Sequence, residues 1–368
     1  MVDNWNVSWK VIVNGKDMTT AMRPYLIDIE IVDKDGSASD TCSLTFDDQS
    51  GKLELPPDGC SIEIFLYGVS KFKGTLDDIR SSGTRGGGRT LRVTGKGFDS
   101  RGKVKQPLTF HKDDATLQEF LDDAAKRAGL TPPKLDPDFA NIRRDYWSAD
   151  GESYLHLGER LARELGGTFK MRDTQSVLAK RGDGKATTGA QMPTIRGVVG
   201  ENVISWDISP IKGRRTFTKA KVRYFDRKAA DFKTEDVEFD LDRELPDSTN
   251  VVRSTVADRD QAKAVGDARK REAEREGGEG SVQMDLTVEA QAEGTFIISG
   301  AREGVDGQYR ISSVRHKADR SGGSLTSLEI KQPGGGAGKD KRKKKGKAST
   351  AGGSDNAFKG MSDDPLDD

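Results

Sequence analysis

Residues 5–13 place Trp5, Val7, Trp9, Val11 and Val13 on one parity, with Asn6, Ser8 and Lys10 on the other. A period of two sets one face of an extended strand against a core and the other in water. Asn14-Gly15 follows at once, a dipeptide favoured in tight hairpins because both central residues need positive φ. The alternation returns in Tyr25, Ile27, Ile29, Ile31, then in Cys42, Leu44, Phe46, and again in Cys60, Ile62, Ile64, Leu66; turn clusters at 35–37, 48–51 and 56–59 separate these stretches. Two more strands fit at 72–79 and 91–94, joined by a Gly-rich tip at 82–89. So many short strands within about 100 residues predict a sandwich or barrel.

From about residue 106 the period changes. Leu117, Phe120, Leu121, Ala124, Ala125 and Ala128 share one helical face, and Gly129 supplies a stop. Asp113 or Asp114 can cap this helix, or Thr116 with Glu119 as a capping box. A second helix is predicted at 151–165, with Tyr154, Leu157, Leu161 and Leu165 inward, followed by a short hairpin at 169–171 and 177–179. These form a small helical α/β module at 106–181, and the stretch 182–194 reads as a linker. Strand patterns resume at 203–208, at Ala220, Val222, Tyr224, and at Val237, Phe239, Leu241. The Ala-rich charged segment 258–276 reads as a helix lying on a sheet, and strands follow around Val282 to Val288, at 296–299, 309–314 and 325–330. The fold class expected is mainly β (α+β): antiparallel β domains at 1–105 and 195–331, the second with the helix 258–276 inserted, and the α/β module between them. Beyond 331 lies a Gly/Lys-rich, disordered-type tail, 332–368, too polar to bury a core.

Lys plus Arg and Asp plus Glu number 60 each, so the formal charge is zero although 33% of residues are charged. No global field draws such a chain to nucleic acid or anionic lipid. No apolar run approaches the roughly 18–20 residues of a membrane span, and the first residues lack a basic start and apolar stretch, so a soluble protein made in the cytoplasm is expected. His111, His156 and His316 are far apart without metal-ligand or triad spacing, and read as surface or helix-face histidines. The glycines at 83–88 lack the Lys-Ser or Lys-Thr and the helix that a phosphate loop requires. Carboxylates are too abundant for any pair to stand out. No catalytic, cofactor-binding or metal residues are therefore assigned. Cys42 and Cys60 lie on the apolar parity of their strands and read first as small buried hydrophobes, with a disulfide between them left open. The cations Lys339, Lys341, Arg342, Lys343, Lys344, Lys345 and Lys347 could hold a phosphate or acidic partner, although a solvated tail is the commoner meaning of such a run.

In this order the elements resemble the late control D or tail hub proteins of contractile phage tails, related to the hub portion of type VI secretion spikes. The resemblance spans about Trp9 to Lys331. Its pieces are Ser43-Leu44-Thr45-Phe46-Asp47-Asp48, Pro57-Asp58-Gly59 before Ile62-Glu63-Ile64, Phe72-Lys73-Gly74-Thr75-Leu76 and Ala115-Thr116-Leu117-Gln118-Glu119-Phe120-Leu121. Gly151-Glu152-Ser153-Tyr154 with Leu161-Ala162, Asp306-Gly307-Gln308-Tyr309-Arg310-Ile311 with Val314-Arg315-His316, and Gly322-Gly323-Ser324-Leu325-Thr326 complete it. The resemblance implies two tube-like β barrels per chain and no catalytic site. It further implies a homotrimeric baseplate hub that adapts a six-fold tail tube to a three-fold spike around a central channel. Implied partners are further copies of itself, the tail tube protein, the spike protein, and other baseplate proteins including the tape measure protein. The genome would pass without sequence-specific binding, no cofactor is implied, and the location would be the virion. A tail-associated peptidoglycan-binding or cell-wall-degrading protein is the alternative, with the module at 106–181 loosely LysM-like. A complete secretion spike would need a Gly-rich β-helix repeat, which does not follow the second β domain.

Overall fold

In the computed structural model, which describes residues 5–36, 39–182, 184–185, 190–211, 217–239, 247–321 and 323–339, the period-two stretches pair as antiparallel strands. The first unit runs through β1 (Trp9–Val13), β2 (Lys16–Asp17), α1 (Thr19–Met22), β3 (Leu26–Lys34), β4 (Thr41–Asp47), β5 (Ser61–Leu66), β6 (Val69–Thr84) and β7 (Gly88–Lys96). Its core takes the predicted parity: Trp9, Val11, Leu44, Phe46, Ile62, Ile64 and Leu66 are buried, and Cys42 and Cys60 lie among them. Trp5 packs edge-on against Trp9, with ring centroids 5.4 Å apart, as core and not as an exposed platform.

The middle module contains β8 (Pro107–Thr116), α2 (Leu117–Arg127), β9 (Lys134–Leu135), α3 (Pro137–Ala140), β10 (Arg143–Ser153), α4 (Tyr154–Leu165), β11 (Gly167–Arg172) and β12 (Gln175–Lys180). Thr116 caps α2 in a reciprocal box with Glu119, which satisfies two otherwise orphaned backbone donors. α4 begins at Tyr154 under a Ser153 cap and ends at Gly166 in the left-handed region. Phe120, Leu121, Tyr154, Leu157 and Phe169 form one buried cluster.

The last part comprises β13 (Thr194–Val198), β14 (Val203–Ser209), β15 (Lys219–Asp226), β16 (Asp231–Glu238), β17 (Thr249–Val256), α5 (Arg259–Arg275), β18 (Glu279–Asp285), β19 (Thr295–Ser299), β20 (Gly307–Asp319) and β21 (Gly323–Gly334). The insertion is larger than the single helix read from the sequence. β16, β15 and β17 form their own sheet, and α5 closes it with Val222, Tyr224, Ala262 and Val265 buried together. The chain also stays packed past 331: β21 continues to Gly334, Ala337 is buried, and the Gly338 amide donates to Gly304 O at 2.8 Å.

Without that insertion, the strands fall into two sets with one order. The first reads β3-β4-β7-β6-β5-β1 and the second β14-β18-β21-β20-β19-β13. Leaving aside the two-residue β2, each is the second, third, sixth, fifth, fourth and first strand of its unit. Irregularities coincide as well. β3 shifts register between Leu26 and Asp28 as β14 does between Val203 and Ser205; β6 shifts between Leu76 and Asp78 as β20 does between Ile311 and Ser313. The fifth and sixth strands meet in hairpins of equal spacing, Thr84 to Gly88 and Asp319 to Gly323. One pair differs: β1 and β5 are antiparallel, whereas β13 and β19 are parallel. The units are stitched together because β20 outruns β19. Its start pairs with β19, and the stretch from Ser313 to Asp319 pairs with β3.

Candidate functional site

The place where the three parts meet is built from charge. Asp33 is the penultimate residue of β3, Asp35 follows the strand, and Asp40 precedes β4; these carboxylates face β11 of the middle module. Lys170 on β11 pairs with Asp33 and, at 2.8 Å, with Asp40; Arg172 reaches Asp40 at 3.4 Å. Burial disfavours the Lys170 cation, but the two carboxylates outweigh it and hold its pKa above the ordinary lysine value. Burial equally opposes charge on Asp33, yet Lys170 and the Ala292 amide keep it below the carboxylate range. Asp40 moves the other way, raised by burial and by the neighbouring Asp33 charge.

A second cluster continues the first. Arg275, the last residue of α5 and itself buried, bonds Asp35 and, at 2.9 Å, Glu293 from the loop before β19. Thr168 donates to Asp35 at 2.8 Å, Arg181 lies 3.3 Å from it, and the Gly182 amide donates to Glu293 at 2.8 Å. Burial pushes Glu293 up to about 7 despite Arg275. Beside these, Lys71 on β6 donates to Val288 O at 2.7 Å and Ala290 O at 3.2 Å, crossing from one unit to the other. His316 on β20 lies 3.3 Å from Ala290 O and 3.1 Å from the Thr326 hydroxyl. A carbonyl only accepts, so Nε2 carries the proton and Nδ1 accepts from Thr326. Burial, then the Lys71 charge, lowers the His316 pKa to about 4.

Chemically, this arrangement immobilises. Its cations are engaged by carboxylates or carbonyls, and among the described residues no group of His, Cys, Asp and Glu is placed to hold a metal. The expectation of surface or helix-face histidines is corrected at His316, which is 1% exposed because β3 covers β20 there; His111 and His156 are exposed. Cys42 and Cys60 are buried free thiols, and no bridge joins them. The Cys60 thiol donates to Pro57 O at 2.8 Å, and burial pushes the Cys42 thiol up. Of the cationic cluster, Lys339 is the last described residue; Lys341, Arg342, Lys343, Lys344, Lys345 and Lys347 lie outside the described residues. Sequence spacing missed Asp33, Asp35, Asp40, Lys170, Arg275 and Glu293. The available signal was a lysine between two apolar residues, Phe169 and Met171, in the short hairpin.

Two β units of one strand order, clamped by buried ion pairs to a helical module, make up a fold shared with solved phage tail proteins. Among solved structures, the chain resembles the 43 kDa tail protein of prophage MuSo2 from Shewanella oneidensis, with TM-score 0.68 and 16% identity over 88% of this chain and 97% of that one. It also resembles an Escherichia coli component of the type VI secretion system, itself described as similar to T4 tail proteins, with TM-score 0.54 and 11% identity over 88% and 76%. In sequence it is similar to the "probable baseplate hub protein" of Escherichia phage 186, 25% identical over 191 residues. That match takes in 50% of this chain, which spans about half the relative's length, 48%. No family model matches. The resemblance to baseplate hub proteins read from the sequence is supported by both kinds of comparison.

Proposed function

We propose that this chain is the structural hub of a contractile phage tail baseplate, a homotrimer that adapts a six-fold tube to a three-fold spike around a central channel. The observation that carries the reading is the doubled unit. A three-fold assembly meets a six-fold neighbour with like contacts only if each chain presents two similar surfaces about 60° apart, and the strand order repeats twice in this chain. The hub-protein relative and the tail-protein fold support it. Tail tube, spike and other baseplate proteins including the tape measure protein are then its partners, with the genome passing through and the virion as its location. Host cytoplasm is where the chain is made. It performs no catalysis and takes no cofactor. Imaging the particle, or the chain mixed with its tube and spike neighbours, tests this: density for three copies on the tail axis is expected. A chain found off the axis, or single beside its spike, overturns it.

A further inference from the structure

We propose that three copies close into a ring through one particular strand junction, in which β14 of one copy pairs antiparallel with residues 78–84 of β6 in the next. This rests on the hub reading for the number of copies and names the surface that joins them. The template is the junction already inside the chain. There β3, the second strand of its unit, lies along the far half of β20, the fifth strand of the other unit. Exchanging the units gives β14 and the far half of β6. Both are open. Past a single bridge from Val203 to Val199, β14 is bonded along one side only, to β18, while β5 covers β6 only as far as Thr75, which leaves 78–84 bonded to β7 alone among the described strands. Such edges are templates for a further strand.

Aligning the units on their shared register shifts and hairpins matches Ile29 with Trp206 and Glu30 with Asp207 on the second strands. On the fifth strands it matches Arg315 with Arg80 and Ala318 with Gly83. Carrying over the β3–β20 register then sets Trp206 opposite Gly83, Asp207 opposite Ser82 and Ile208 opposite Ser81.

Independent observations agree with that register. Within the chain, Ile29 and Ala318 lie opposite each other and are fully buried; Trp206 is 41% exposed, and residues 80–84 are exposed throughout. The large-over-small pairing is kept, since an aromatic ring covers the bare backbone of a strand glycine. Charge is kept too. Glu30 and Arg315 form an ion pair at 3.3 Å across the internal junction, and the matched positions hold Asp207 on β14 and Arg80 on β6, with the same signs on the same strands. A head-to-tail contact closes into a ring when its rotation divides a full turn, and two units per chain give six stations to three copies.

The test uses the full chain with Asp207→Cys and Ser82→Cys, mildly oxidised alone and with its spike neighbour. Directly opposed strand residues suit a disulfide, and native Cys42 and Cys60 are buried away from it. Expected is a covalent ladder of two and three copies that stops at three. Asp207→Cys with Ser81→Cys, which points to the other face, is expected to stay unlinked. Arg80→Glu and Asp207→Lys should each weaken assembly several-fold, and together restore it. Three copies without the 207–82 bridge would overturn this junction and leave the hub reading intact. A ladder running past three would overturn ring closure, and a chain that stays single in every condition would overturn both.

Discussion

Keeping His316 neutral ties the fold to pH. Its pKa of about 4 lies below the ordinary 6.5, so the unfolded chain binds the proton more readily, and stability falls as pH drops from about 6.5 toward 4. Lys71 and Asp33 are the charged groups that face it. His316→Gln keeps a donor and an acceptor, and its urea-unfolding free energy should decline less steeply over that window than the wild type's. Glu293 has the opposite sign: raised from 4.5 to about 7, it subtracts stability as pH rises between those values. The cysteines differ in kind. Cys42→Ser should cost on the order of 1–3 kcal/mol by burying a polar hydroxyl in the apolar core of the first unit. Cys60→Ser should cost less, because a hydroxyl can inherit the bond to Pro57 O. Urea midpoints measured side by side check the order.

At the scale of elements, α5 is held by its last residue. Arg275→Met would leave Glu293 buried without a cation and Asp35 with Arg181 alone and should destabilise by about 3–5 kcal/mol, as broken buried pairs do. Equilibrium unfolding measures the loss, and hydrogen exchange should show α5 opening first. The elements most legible in the sequence were those with one dry face, such as β1, β4, β5 and the two long helices of the module. Parity failed where the backbone bulges. Between Leu26 and Asp28 the register shifts, so Leu26 is buried and Tyr25 is 42% exposed, the reverse of the simple alternation. β8 and β10 left little pattern because this antiparallel pair fully buries only Leu108, Ala115, Trp147 and Ala149, with residues such as Phe110 half-buried and many others exposed. The ionic junction was illegible for another reason. Its members come from residues 33–40, 168–182, 275 and 293, and no local spacing joins stretches that only topology brings together.

For the whole molecule, packed chain extends past 331, further than composition suggested. Removing residues 340–368 should leave the thermal midpoint unchanged, whereas removal from 334 onward takes away the buried Ala337 and the last residue of β21 and should lower it. Co-purification of the shorter deletion with tube and spike proteins asks whether the cations from Lys341 onward act as a tether. The β3–β20 seam has a mechanical side. Two domains linked by a flexible hinge could swing apart, but these share a run of backbone hydrogen bonds from Asp28 to Lys34, so separating them means tearing a sheet lengthwise. Three such chains would form a stiff hoop and not an iris. On the hub assembly proposed above, its bore would be fixed at assembly, and whatever admits or holds back cargo would have to be a plug that leaves.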